Sequence, residues 1–126
     1  MSEPVAAAVN EEDEKLLPIA ALCDGQVKRM QENGRRYIYM EKLRFLVRDK
    51  DRVQHKDMQM DALLCLNHPN PTYPTKLFLP ENLGLGLNWN ENPFILGRAW
   101  ATWSWRDVLP NQDPIDILAA HLKAFQ

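Results

Sequence analysis

Four tryptophans stand within one stretch, Gly86 to Pro110, GLNWNENPFILGRAWATWSWRDVLP, and the rest of the chain has none. Trp89, Trp100, Trp103 and Trp105 each carry a large apolar ring and a single N–H donor. A chain that concentrates them must either bury them in a core or hold them at a surface that is half apolar and half wet. The interleaved Asn88, Asn90 and Asn92 are turn-formers, and the stretch runs on to the charged pair Arg106 and Asp107. An ordered irregular segment with aromatic anchors fits this mixture better than a long regular element. Two or more of the rings are expected to be plain core, since tryptophan is heavily buried on average.

Composition narrows the classes. With 126 residues, 45% apolar and 25% charged, the chain has the makeup of a globular protein and the length of one domain. No run of about 18 apolar residues is present to span a membrane as a helix. The net charge of −2, with its cations spread along the chain, argues against binding nucleic acid by phosphate neutralisation. Cys23 and Cys65 read as reduced thiols, the three histidines stand far apart, and no ligand set for a metal or cofactor is visible. The expected compartment is the cytoplasm, because Met1 to Ala8 lack the basic and apolar pattern of a secretory signal.

Along the chain, residues 1–10 read as a flexible tail and residues 11–126 as a single domain. Leu16, Ile19, Cys23, Val27 and Met30 recur at helical spacing, so an amphipathic helix is expected to run to a stop at Asn33-Gly34. From Arg36 to Val47, alternation predicts a strand with Tyr37, Tyr39, Leu43, Phe45 and Val47 on one face. Met58 to Leu66 predicts a second strand, antiparallel to the first, with Met58, Met60, Ala62, Leu64 and Leu66 on one face and Cys65 on the other. Asn67 to Pro74 holds three prolines and reads as a rigid loop. Thr75 to Leu79 reads as a third strand. Asp113 and Pro114 open a final helix whose stripe is Ile115, Leu118, Leu122 and Phe125, with His121 beside it. The fold class is α+β: an N-terminal helix, an antiparallel β-meander, the irregular tryptophan segment and a C-terminal helix.

This order of elements, with Tyr73-Pro74 after a strand and the run Gly97-Arg98-Ala99-Trp100-Ala101-Thr102-Trp103-Ser104 before the last helix, resembles the ubiquitin-conjugating-enzyme (UBC-like) family, and most of all its bacterial members. The resemblance covers residues 11 to 126 in element order and about 30 residues in motif. It implies membership of a bacterial ubiquitin-like modification pathway, with the modifier and an activating-enzyme-like protein as partners. The family's thioester chemistry needs a cysteine three residues after a glycine of the extended segment. Counted from Gly97, that position holds Trp100. Asn70, in His68-Pro69-Asn70, precedes Tyr73 instead of following it, so the role of the family's asparagine does not transfer to it.

The chain is therefore expected to be a non-catalytic or atypical member that binds through Trp100, Trp103, Trp105, Arg98, Arg106 and Tyr73. One alternative is an acyl carrier, with Ser104 forming an oxyester or Cys65 a thioester. Another is a carbohydrate-binding module that stacks sugars on exposed tryptophans.

Overall fold

The computed structural model describes residues 14–48 and 54–126. The tail of residues 1–10 lies outside them. The described elements are α1 (Leu17–Ala20), β1 (Val27–Glu32), β2 (Arg35–Arg48), β3 (His55–Cys65), β4 (Lys76–Leu79), β5 (Trp89–Glu91), β6 (Phe94–Ile95), β7 (Arg98–Ala99), β8 (Ala101–Trp103), α2 (Pro114–Leu122) and a closing 3-10 turn, Lys123–Phe125. Six strands form one sheet in the order β1-β2-β3-β4-β8-β5, while among the described residues β6 and β7 pair only with each other. Every neighbouring pair is antiparallel. The α+β class, the antiparallel meander and the C-terminal helix are as expected.

The N-terminal helix is not. In place of a helix from Leu16 to Met30, a single turn, Leu17–Ala20, is followed by a strand from Val27 to Glu32. Two contacts with β2 decide this. Gly25 passes so close to β2 that a side chain there would put its Cβ 2.5 Å from that of Glu41. The backbone groups that a helix would have used internally bond sideways, Asp24 N–H to the Lys42 carbonyl and Glu41 N–H to the Gln26 carbonyl. Asn33 and Gly34 do not stop a helix. They form a two-residue hairpin turn, with φ 52° and 78°, between the paired residues Glu32 and Arg35. Asn-Gly suits that turn because both central residues need positive φ.

A β-bulge in β2 makes a second correction. Tyr37, Tyr39, Leu43, Phe45 and Val47 all occupy odd positions and would share a face on an unbroken strand. The register shifts between Met40 and Leu43, where Lys42 takes a φ of 52°. One extra residue inverts the parity. Ile38 and Met40 therefore join Leu43, Phe45 and Val47 in the main core, while Tyr37 and Tyr39 face the other way.

Both faces of the sheet are covered. On one, the main core is sealed by α1, α2 and the 3-10 turn, with Ile19, Ile117, Leu118 and Phe125 buried. On the other, Tyr37, Leu63, Cys65 and Phe78 lie in one cluster with Ile95 of β6 and Trp100. Cys65 is thus on the face opposite Ala62 and Leu64, as its strand position predicts. The aromatic segment is more regular than expected, because Ala101–Trp103 is an interior strand of the sheet, flanked by β4 and β5. α2 begins with Asp113 at its N-cap and Pro114 within the first turn. The Asp113 carboxylate makes no cap hydrogen bond and instead pairs with Lys15 at 3.5 Å.

Candidate functional site

The segment from Pro93 to Ser104 is positioned from both sides of the sheet. Its hairpin, β6–β7, turns at Leu96 and Gly97, with φ 51° and 83°. The Leu96 N–H is held by Glu32 Oε2 at 2.8 Å. Arg98 Nη1 donates to Tyr39 Oη at 2.8 Å and to Asp61 Oδ2 at 3.1 Å. The Tyr39 hydroxyl donates to the same Asp61 oxygen at 3.1 Å, and the Lys42 amide bonds the other oxygen at 3.0 Å. Burial opposes the charge of Asp61, but the Lys42 amide, Arg98 and the Tyr39 hydroxyl outweigh it and hold this carboxyl below its ordinary range. The same environment, burial first and then Asp61, pushes the Tyr39 phenol up.

Trp100 lies beneath this cluster. It is 1% exposed, its N–H donates to the Ile95 carbonyl at 3.0 Å, and Tyr39 meets its ring edge-on at 5.9 Å. The Arg98 guanidinium sits 4.5 Å from the ring centroid, a cation–π distance. Arg98 and Trp100, both expected from the sequence, therefore come together. Their partners Tyr39 and Asp61 were not expected. The available signal was Asp61 itself, a carboxylate on the strand face opposite Met60, Ala62 and Leu64.

The other expected residues are dispersed. Trp103 is 2% exposed on the main-core side, against Trp89 at 5.0 Å and Phe125 at 4.9 Å. The planes of Trp89 and Trp103 are tilted by 53°, and the Trp89 N–H is taken by the Gly84 carbonyl. Trp105 is half-buried with its N–H on the Ala120 carbonyl of α2. Arg106 is exposed and pairs with its neighbour Asp107 at 3.4 Å. Tyr73 lies in the proline loop, with the Lys76 ammonium 5.5 Å from its ring centroid.

Among the described residues, the candidate reactive groups Ser104, Cys23, Cys65 and His121 stand in settings that do not activate them. The Ser104 hydroxyl accepts from Asn88 Nδ2 at 3.3 Å and Asn90 Nδ2 at 2.5 Å, and none of its hydrogen-bond partners is a base. Burial pushes the half-buried Cys23 thiol up to about 11, against the opposing pull of Arg44. Cys65 is 1% exposed and is likewise pushed up by burial. Neither thiol is the nucleophilic thiolate at neutral pH. His121 is 1% exposed, with Nε2 2.9 Å from the Thr75 hydroxyl, which in turn donates to the Val108 carbonyl at 2.8 Å. Burial, aided by Lys76, lowers its pKa to about 4, so it is neutral and structural.

His68 is a site the sequence reading passed over. Its Nδ1 lies 3.0 Å from the Tyr73 carbonyl, and a carbonyl only accepts, so Nδ1 carries the proton and Nε2 the lone pair. It lines a pocket of about 140 Å³ with Glu32, Arg35, Tyr37, Phe78 and Ile95. Among the described residues, no group of three or more His, Cys, Asp or Glu side chains could hold a metal, and no helix is long and apolar enough to cross a membrane. Comparison with protein-family models, curated proteins and solved structures finds no match to this chain.

Proposed function

We propose that this protein is a non-catalytic ubiquitin-conjugating-enzyme-like member of a bacterial ubiquitin-like modification pathway, binding the modifier, its activating-enzyme-like protein, or both. The reading rests on the motif from Gly97 to Ser104, and the α+β meander with its closing helix is compatible with it. One observation carries its non-catalytic part. At the motif position where transfer chemistry would need a thiol stands Trp100, a buried indole whose only polar atom is already bonded to the Ile95 carbonyl. Neither cysteine nor Ser104 has the activated setting that acyl transfer demands. Stacking of sugars is not favoured either, since Trp100 and Trp103 are buried and Trp89 and Trp103 are not coplanar.

The exposed polar groups of the segment, Arg106 above all, supply rim contacts for a partner. The test is incubation of the purified protein with a bacterial ubiquitin-like modifier, its adenylating enzyme and ATP. The expected result is a reversible complex, weakened about 2- to 10-fold by Arg106→Ala, with no covalent product. An adduct released by hydroxylamine or mild base, and lost in Ser104→Ala or Cys65→Ser, would make the protein a carrier instead.

A further inference from the structure

The two edges of the main sheet are unequal. β5 has three residues and an irregular register with β8, whereas β1 has six, pairs with β2 without a break and contains no proline. The Asn33-Gly34 turn sets which backbone groups of β1 face β2. In a two-residue hairpin the flanking pair, here Glu32 and Arg35, is hydrogen-bonded, so Lys28, Met30 and Glu32 direct their N–H and C=O groups to β2. The bond from the Glu41 N–H to the Gln26 carbonyl follows the same alternation. The main-chain groups of Arg29 and Gln31 are therefore directed away from β2, along the outer edge.

Side chains alternate with the same period. Lys28, Met30 and Glu32 lie across from Tyr39, Tyr37 and Arg35, so all three stand on the side of the sheet that carries the β6–β7 hairpin, where Glu32 meets Leu96. Arg29 stands on the other side, in a pocket with Leu66 and Ile117. Lys28 is exposed, and Met30 is 36% exposed. Among the described residues, neither Lys28 nor Glu32 has an ion-pair partner. They cannot serve each other, because four residues of strand hold them about 13 Å apart. The strand thus presents one cation and one anion on a single face, equally spaced on either side of the apolar Met30.

We propose that β1 pairs antiparallel with β1 of a second copy of this chain about a two-fold axis at Met30, joining two six-stranded sheets into one. In that register Met30 faces Met30 of the second copy, and Lys28 of each copy faces Glu32 of the other. These residues bond inward to β2, so across the new edge they form pairs of the non-hydrogen-bonded kind, in which side chains approach most closely. Between them, the main-chain groups of Arg29 and Gln31 bond from copy to copy. A carboxylate accepts at both oxygens, so Glu32 can keep the Leu96 N–H on Oε2 and take the ammonium on Oε1. Moving the axis by one residue, to Arg29, would set two guanidinium groups opposite one another and Lys28 against Met30. Charge on an edge deters a foreign strand, but here it is complementary to its own copy. The inference is independent of the modifier-binding reading, since it concerns the free protein.

Sedimentation equilibrium of the full-length protein reads the association directly. A monomer–dimer equilibrium is expected, and Gln31→Pro, which removes an outward N–H while leaving the ladder to β2 complete, should abolish it. Lys28→Glu sets carboxylate against carboxylate in both charged pairs, and Glu32→Lys sets ammonium against ammonium, so each variant alone should dimerise about 10- to 100-fold more weakly. Mixed in equal amounts, the two variants should associate again, because in the mixed dimer both pairs once more join opposite charges. Circular dichroism of each variant, matching that of the native protein, separates lost pairing from lost folding. A monomer at every concentration up to about 1 mM would overturn the proposal. So would a dimer that Gln31→Pro leaves intact, or two folded charge variants that fail to associate when mixed.

Discussion

At the residue scale, His121 gives the clearest quantitative expectation. Its pKa is about 4 in the folded protein against an ordinary 6.5, so between these values the unfolded chain binds the extra proton. Stability contributed by the neutral imidazole is complete above about pH 6.5 and declines as pH falls toward 4, by about 3 kcal/mol in all. Urea midpoints at pH 7 and pH 4.5 should therefore diverge more for the native protein than for His121→Gln. Equal pH dependence in both would mean that the ring is solvated in the folded state. Asp61 has linkage of the same sign, in the carboxylate range. Its depressed pKa means that its stabilisation is present above the ordinary carboxylate range and is lost as pH falls through the lower folded value. Asp61→Asn should cost about 1–2 kcal/mol at pH 7, because the Arg98 guanidinium loses its counter-charge. The coupling with Tyr39→Phe, measured in a double-mutant cycle, should differ from zero, since both groups meet the same oxygen atom.

At the element scale, the two glycines that flank β1 test two different mechanisms. Gly34 has a φ of 78° and open space around it, so Gly34→Ala should cost about 1 kcal/mol of backbone strain without disturbing any neighbour. Gly25 has no such φ, but a Cβ there would meet Glu41 at 2.5 Å. Gly25→Ala should therefore shift the β2 bulge and cost more, about 1–3 kcal/mol, with the difference read from chemical denaturation. Helical spacing in Leu16 to Met30 was legible in the sequence, and so was the Asn-Gly signal that contradicts it as a helix. Of that stripe Leu16 and Ile19 are buried and Cys23 and Val27 pack partly buried against the core, whereas Met30 is 36% exposed on an edge strand. Periodicity reports which side chains could share a face. It does not report that the edge of β2 offers the backbone better hydrogen bonds than a second helical turn would.

At the scale of the whole molecule, one sheet carries two apolar faces of unequal size. Leu118→Ala, in the large core, should cost about 2–5 kcal/mol, whereas Ile95→Ala, under the hairpin, should cost less and leave the unfolding transition cooperative. Hydrogen exchange resolved by residue would locate the earliest openings at Ile95 and Arg98 if this division holds. The same division explains why the expected binding residues do not form one surface: Trp100 and Arg98 belong to the hairpin side, Trp103 and Trp105 to the helix side.

Local chemistry was enough for the α+β class, the meander of β2, β3 and β4, the placing of Cys65 opposite Ala62 and Leu64, and the final helix from Pro114. Those features depend on alternation, proline and cap residues acting over a few positions. The tertiary structure alone decided that Val27–Glu32 is a strand, that Tyr37 and Tyr39 leave the main core, and that Arg98, Trp100, Asp61 and Tyr39 meet. A bulge of one residue inverts every side chain beyond it, and contacts between residues some 37 or 59 positions apart depend on sheet order. Neither is written in any short window of sequence, because the free energy that selects them comes from surfaces that exist only once the strands have paired.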